Sequence, residues 1–171
     1  MAFTTLQGAS ATDATSFIGS AGVDSVNLNN VGTPIWLGAQ AAGDVISFES
    51  STRTVSNATL RGGQGQDRLN VSDGATSLTD SFINLNSDND VMQLLNVSSS
   101  TIYGGAGSDT LITGELRSVR FNSNKGDDTT TIAGATGSSI FGGQGSDTTT
   151  LNGDYSTSVI QGDNDNDTLT F

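Results

Sequence analysis

The sequence predicts an all-β fold, a parallel β-solenoid (β-roll-like) of about eight coils of 19–23 residues. Three observations predict it. A Gly/Asp loop recurs at "LRGGQGQDRL" (60–69), "IYGGAGSDTL" (102–111) and "IFGGQGSDTT" (140–149). An aspartate column, Asp24, Asp44, Asp67, Asp90, Asp109, Asp128, Asp147 and Asp167, has spacings of 20, 23, 23, 19, 19, 19 and 20 residues. Apolar residues keep fixed offsets from that column. A period near 20 residues with strand-type alternation is the signature of stacked coils, none of which can bury its apolar side alone.

Each element of a coil follows from those offsets. Seven residues before the Asp stands a large apolar anchor in all eight repeats: Phe17, Leu37, Leu60, Ile83, Ile102, Phe121, Ile140 and Ile160. Two and four residues after it, thirteen of sixteen positions are apolar, from Val26/Leu28 to Leu169/Phe171. Alternation of this kind reads as a strand with one buried face. At the strand spacing of ~4.8 Å, eight coils make a rod roughly 38 Å long. Two residues before the anchor the side chains are mostly small (Thr15, Ala58, Ser81, Ser100, Ser138, Ser158), as a narrow cross-section between two close sheets requires. The anchor is expected to end its strand. Residues 1–16 are expected to form an N-terminal cap or docking segment, and 17–171 the solenoid repeats. "DTLTF" ends mid-strand at Phe171, from which the chain is expected to be the start of a longer one. The 23-residue spacings predict short bulges or loops within 51–59 and 72–80, and "PIWLG" (34–38), with the only Pro, an irregular coil. Trp36 and Tyr103 are expected to point outward.

Composition narrows the function. Of 18 acidic residues 16 are Asp, net charge is −12, and Cys and His are absent. Asp suits turns, and it suits hard cations that take oxygen ligands. Without Cys or His, soft metal sites and most nucleophilic triads are excluded. Six basic residues in no stripe argue against nucleic acid. No apolar run approaches a membrane span, and the first residues lack the pattern of a signal peptide.

Stacking places each Gly/Asp loop on the one before, so carbonyls of one coil and carboxylates of the next can share an ion, and an unscreened Asp column would repel itself. Asp88, Asp127, Asp163 and Asp165 lie in the same loops, and "GDNDNDT" (162–168) sets three Asp at alternate positions. The plain alternative is that Gly and Asp serve only the turn conformation. Lys125, in "SNKGDD", puts a cation where the ion would sit.

The loops "GGQGQDRLN", "GGAGSDTLI" and "GGQGSDTTT" resemble the RTX nonapeptide G-G-x-G-x-D-x-U-x. That resemblance implies Ca2+ bound by Gly62, Gly63, Gly65 and Asp67; by Gly104, Gly105, Gly107 and Asp109; and by Gly142, Gly143, Gly145 and Asp147. By extension it implies sites at Asp88 and Asp90, Asp127 and Asp128, and Asp163, Asp165 and Asp167, whose loops depart from the motif. One nonapeptide per coil implies calcium on one side only. The family is exported without an N-terminal signal peptide. The chain is similar to the N-terminal part of cyanobacterial haemolysin-like surface-layer proteins. This implies a calcium-binding structural protein of the extracellular cell surface, assembled as an oligomer or lattice of like subunits, with cell-surface polysaccharide as a further partner. Alternatives are a virion fibre or appendage, a calcium-dependent adhesin, and an ice-binding solenoid, whose Thr-x-Thr files Thr129/Thr131, Thr148/Thr150 and Thr168/Thr170 resemble. An enzyme is not expected: Asp127 and Asp128 near Lys125 and Arg120 fall on the repeat and are explained by it.

Overall fold

In the computed structural model all strand pairings among the described residues are parallel, and successive coils lie in register. The structure describes residues 2–7, 15–29, 35–48, 54–71 and 77–171. No helix occurs among them, and none is therefore long and apolar enough to cross a membrane.

Two sheets enclose the core. The back sheet has eight strands, one per coil, from Thr15–Ile18 to Val159–Asn164, so about seven turns separate first from last. Among the described residues the front sheet has 13 strands, because several coils contribute two segments to it. The first follows the Asp, as in Arg68–Val71 and Val91–Leu94; the second comes a few residues later, as in Ser77–Thr79 and Asn96–Ser98. In Thr110–Arg117 and Thr129–Thr136 the two segments run together as one eight-residue strand. Ala2–Gln7 also pairs in parallel with Asp24–Asn29 and adds a rung to the front sheet.

The core is a set of files parallel to the axis. The anchor file (Leu37, Leu60, Ile83, Ile102, Phe121, Ile140) is fully buried, and so are Ile46, Leu69, Met92 and Leu111 two residues after the Asp. The second front segment adds a file that spacing did not reveal: Val55, Leu78, Val97, Leu116 and Ala135. Apolar area removed from water at three files per coil drives the stacking, at about 25 cal/mol per Å2.

Several expectations change. Strand Thr101–Ala106 does not end at its anchor Ile102 but continues into the glycine loop, as do its neighbours. Residues 54–56 and 77–79 are not bulges but front-sheet strands paired with one another. Residues 51–53 and 72–76 of the two expected protrusions lie outside the described residues. Ile35–Gly38 is a regular strand paired on both sides, not an irregular coil; Pro34 lies outside the described residues. Trp36 is exposed on the outer back face, and Tyr103 is half-buried there, edge-on to Phe82 with centroids 5.9 Å apart.

The small-residue column does more than save space. Ser81 Oγ accepts the Ala58 N–H (3.1 Å), Ser100 Oγ the Ser81 N–H (3.0 Å) and Ser138 Oγ the Val119 N–H (3.1 Å). Each serine also donates to the carbonyl two residues before it, as Ser100 does to Ser98 at 2.6 Å. The preceding residue takes positive φ at Asn57, Asp80, Ser99, Ser118 and Gly137, so the chain reverses tightly here and the serine satisfies the amide the turn leaves free.

Burial separates two isoleucines near one loop. Ile102→Ala should destabilise the fold by about 2–5 kcal/mol, because a fully buried file cannot close the cavity. Ile112→Ala, at a side chain 45 % exposed on the front face, should cost under about 1 kcal/mol. Denaturant unfolding of both variants against the parent chain checks this; equal losses would contradict the file assignment.

Candidate functional site

The aspartate column forms a buried ladder along one edge of the rod. Asp44, Asp67, Asp90, Asp109, Asp128 and Asp147 are each 3 % exposed or less. Stacking repeats every backbone amide at the same height, and the amide of each column Asp has no partner in either sheet. The carboxylate of the next coil supplies one. The Asp24 N–H donates to Asp44 Oδ1 (2.6 Å), Asp67 N–H to Asp90 Oδ1 (2.7 Å), Asp109 N–H to Asp128 Oδ1 (2.7 Å) and Asp147 N–H to Asp167 Oδ1 (2.9 Å). The bonds from Asp44, Asp90 and Asp128 complete the series.

The second carboxylate oxygen is different. Oδ2 of Asp44, Asp67, Asp90, Asp109, Asp128 and Asp147 is buried and has no hydrogen-bond partner. At the first coil Asp24 Oδ2 instead accepts the Ser20 N–H (2.5 Å). A buried carboxylate oxygen without a partner is costly, and each such group in a folded protein calls for a proton or a cation.

The glycine loop shapes the space beside it. A Cβ on Gly104 would meet Asp109 Oδ2 and the Ser123 carbonyl oxygen of the next coil, each at 2.7 Å. On Gly142 it would lie 2.5 Å from Asp147 Oδ2 and 2.6 Å from the Gly162 carbonyl oxygen. At Gly62 the same place is crowded by Asp67 Oδ2 and the Leu85 carbonyl. A carboxylate oxygen and a carbonyl oxygen of successive coils thus converge beside Gly62, Gly104 and Gly142. In the loops of Asp90 and Asp128 that place belongs to Leu85 and Ser123, whose side chains are buried. The next glycine, as Gly105 (φ 133°), and the one two further on, as Gly107 (φ 130°), are in the left-handed region and abut carbonyls of the preceding coil.

Those two positions explain the other acidic residues. Asp88, Asp163 and Asp165 occupy them in place of glycine, with φ of 78°, 80° and 77°. Asx residues tolerate this conformation. All three are exposed, as is Asp127. Asp88 Oδ2 accepts the Gly65 N–H (2.8 Å), Asp165 Oδ2 the Gly145 N–H (3.2 Å) and Asp127 Oδ1 the Ser146 N–H (2.8 Å), so these acids clasp adjacent loops from outside. Asp167, in the last coil, is exposed. The structure therefore sets Asp67, Asp90, Asp109, Asp128 and Asp147 in one buried column and keeps Asp88, Asp127, Asp163 and Asp165 apart from it. Lys125 is exposed on the outer edge of the back sheet and does not enter the column, unlike its expected place. Arg120 stacks over Phe141 on the outer back face, 5.2 Å from the ring centroid, and does not meet Asp128 inside. Among the described residues no three His, Cys, Asp or Glu side chains gather to hold a metal, so a cation in the column would rest largely on carbonyl oxygens.

Electrostatics concur with the unpartnered oxygens. Burial pushes the carboxyls up, to about 7 for Asp67, about 8 for Asp90, about 6 for Asp109 and about 7 for Asp128. The amide bond from the preceding coil lowers each, and like charges in neighbouring coils raise all but Asp109 further. No protein-family model, curated protein or solved structure matches this chain.

A raised folded-state pKa means that the native column holds protons the unfolded chain has lost. Its stability is full below the ordinary carboxyl pKa of 3.8 and declines as pH rises through about 6–8. Chelator-treated protein should therefore melt at lower temperature at pH 8.5 than at pH 5. Asp109→Asn, which keeps an oxygen for the Asp90 N–H, should flatten that slope. A melting temperature that rises over this interval would contradict the protonated ladder.

Proposed function

We propose that this chain is a calcium-stabilised structural rod of the cell surface, of surface-layer type, assembling with like subunits. The observation that carries the reading is the run of buried carboxylate oxygens without partners, each set against the glycine loop. Calcium is the ion this donor set suits: it takes carboxylate and carbonyl oxygens in irregular arrangements. The residues placed to hold it are Asp67 with Gly62, Gly63 and Gly65, Asp109 with Gly104, Gly105 and Gly107, and Asp147 with Gly142, Gly143 and Gly145. These three loops have glycine where carboxylate and carbonyl converge, and they are the loops that resemble the RTX motif in full. When bound, the ion neutralises the column and ties successive coils. The chain's own residues do the rest: the Oδ1 bonds hold each carboxylate in place, and the glycines leave room beside it.

Ion binding here displaces the protons that the raised carboxyls, such as Asp67 and Asp90, still hold near neutral pH. Calcium added to chelator-treated protein at pH 7 should release protons, raise the melting temperature and produce large assemblies by light scattering. Protein that is folded and indifferent to calcium would overturn the reading; calcium-dependent folding that stays monomeric would remove its assembly part.

A second reading rests on the front face. Thr110, Thr129, Thr148 and Thr168 stand in register across four coils, and Thr131, Thr150 and Thr170 form a parallel file continued by Ile112. This flat, uncharged hydroxyl–methyl array is suited to ordering water, as in an ice-binding surface. Thermal hysteresis of the calcium-loaded chain, abolished by Thr150→Tyr, is its expected sign; no hysteresis in the parent chain rejects it.

A further inference from the structure

The outer face of the back sheet carries a corrugation that neither the ladder nor the core explains. Along one file at the loop edge, residues with and without side chains alternate: Gly63, Asn86, Gly105, Asn124, Gly143 and Asp163 are hydrogen-bonded neighbours in successive coils. Each glycine leaves a notch between two polar side chains, and notches recur every second coil, about 9.6 Å along the rod. The notch at Gly143 opens into a cleft of about 470 Å3. Its walls are Asn122, Asn124 and Lys125 on one side and Asp163 and Asn164 on the other, with Gln144 beside the glycine floor.

Five of these six side chains are unengaged. Elsewhere the loops use their Asx groups against backbone amides, as Asn84, Asn89, Asp88 and Asp127 do. In the cleft Asn122 Oδ1 takes the Asn124 N–H (2.8 Å), which leaves its NH2 free. The side chains of Asn124, Lys125, Gln144, Asp163 and Asn164 have no hydrogen bond or ion pair in the structure among the described residues. Amides offer donors and acceptors together. Lys125 and Asp163 stand on opposite walls with opposite charge, so the cleft favours neither anion nor cation. It has no apolar pocket of the kind that anchors a peptide side chain. A neutral ligand rich in hydroxyl groups matches this inventory.

We infer that this cleft, with the corrugation it belongs to, binds a neutral linear glycan lying along the rod axis. The cleft shares its glycine floor, Gly143, with a loop proposed to hold calcium, and Asp163 is near enough to Asp147 to raise its carboxyl, but the amide side chains that would meet a glycan face outward, away from the buried carboxylates. It gives chemical content to a polysaccharide partner, and failure of either reading leaves the other standing.

The test uses isotopically labelled chain, calcium-loaded, titrated with cellohexaose and separately with chitohexaose while side-chain and backbone amide signals are followed by NMR. Saturable shifts are expected at the NH2 groups of Asn122, Asn124, Gln144 and Asn164 with at least one of the two. The double variant Asn124→Gly, Asn164→Ala should weaken binding at least tenfold, with its backbone spectrum otherwise retained; Gly is chosen at 124 because the position has positive φ. Gln93→Ala, on the opposite sheet, should leave binding unchanged. Absence of saturable shifts with both sugars, shifts mapping away from the cleft, or equal binding by the double variant would overturn the inference.

Discussion

Exact translation of one coil onto the next is the constraint from which the structure follows. It sets like group on like group, which suits backbone ladders and apolar files and penalises charge. The Asp column resolves the conflict halfway. One oxygen of each carboxylate is used to satisfy an amide that neither sheet reaches, at 2.6–2.9 Å in every coil. The other oxygen is left buried beside its equivalents, and its charge must be cancelled by something other than the protein's side chains.

The same translation decides where glycine is required. Adjacent loops approach so closely that a Cβ at Gly104, Gly105 or Gly107 would strike a carbonyl or carboxylate of the neighbouring coil. Substitution by Asn or Asp at the two positive-φ positions keeps the loop shape and turns the freed side chain outward. In this way the conformational demand of the buried site generates the polar pattern of the outer surface. The two share the loop glycines and have one steric origin.

Most of the core was legible in the sequence because the anchor and the two positions after each Asp keep constant offsets through coils of unequal length. The file Val55, Leu78, Val97, Leu116, Ala135 was not. It lies seven residues after Asp90, Asp109 and Asp128 but eleven after Asp44 and Asp67, so the extra residues of the longer coils hide it. Serine at the tight turn was read by size alone, although its recurrence at 81, 100, 138 and 158 was a signal for a hydrogen-bonded ladder. The buried Asp column was evident; the separate place of Asp88, Asp163 and Asp165 was not, because alternate spacing looks the same whether an acid faces an ion or replaces a left-handed glycine. Lys125 was misplaced for a related reason: its position in the loop turns outward, which charge and spacing do not reveal.

Both side-chain ladders also have a direction. In every bond from a backbone amide to a column Asp or Ser of the adjoining coil, the acceptor belongs to the later coil and the donor to the earlier one. A coil therefore cannot satisfy its own turn amides; its successor does so. For a chain that emerges amino end first, from a ribosome or a secretion channel, each coil is locked only when the following one arrives. Growth of the rod is then a ratchet in which every new turn completes the previous one, and a coil gained or lost by gene duplication or deletion leaves the junction with its donor and acceptor still matched.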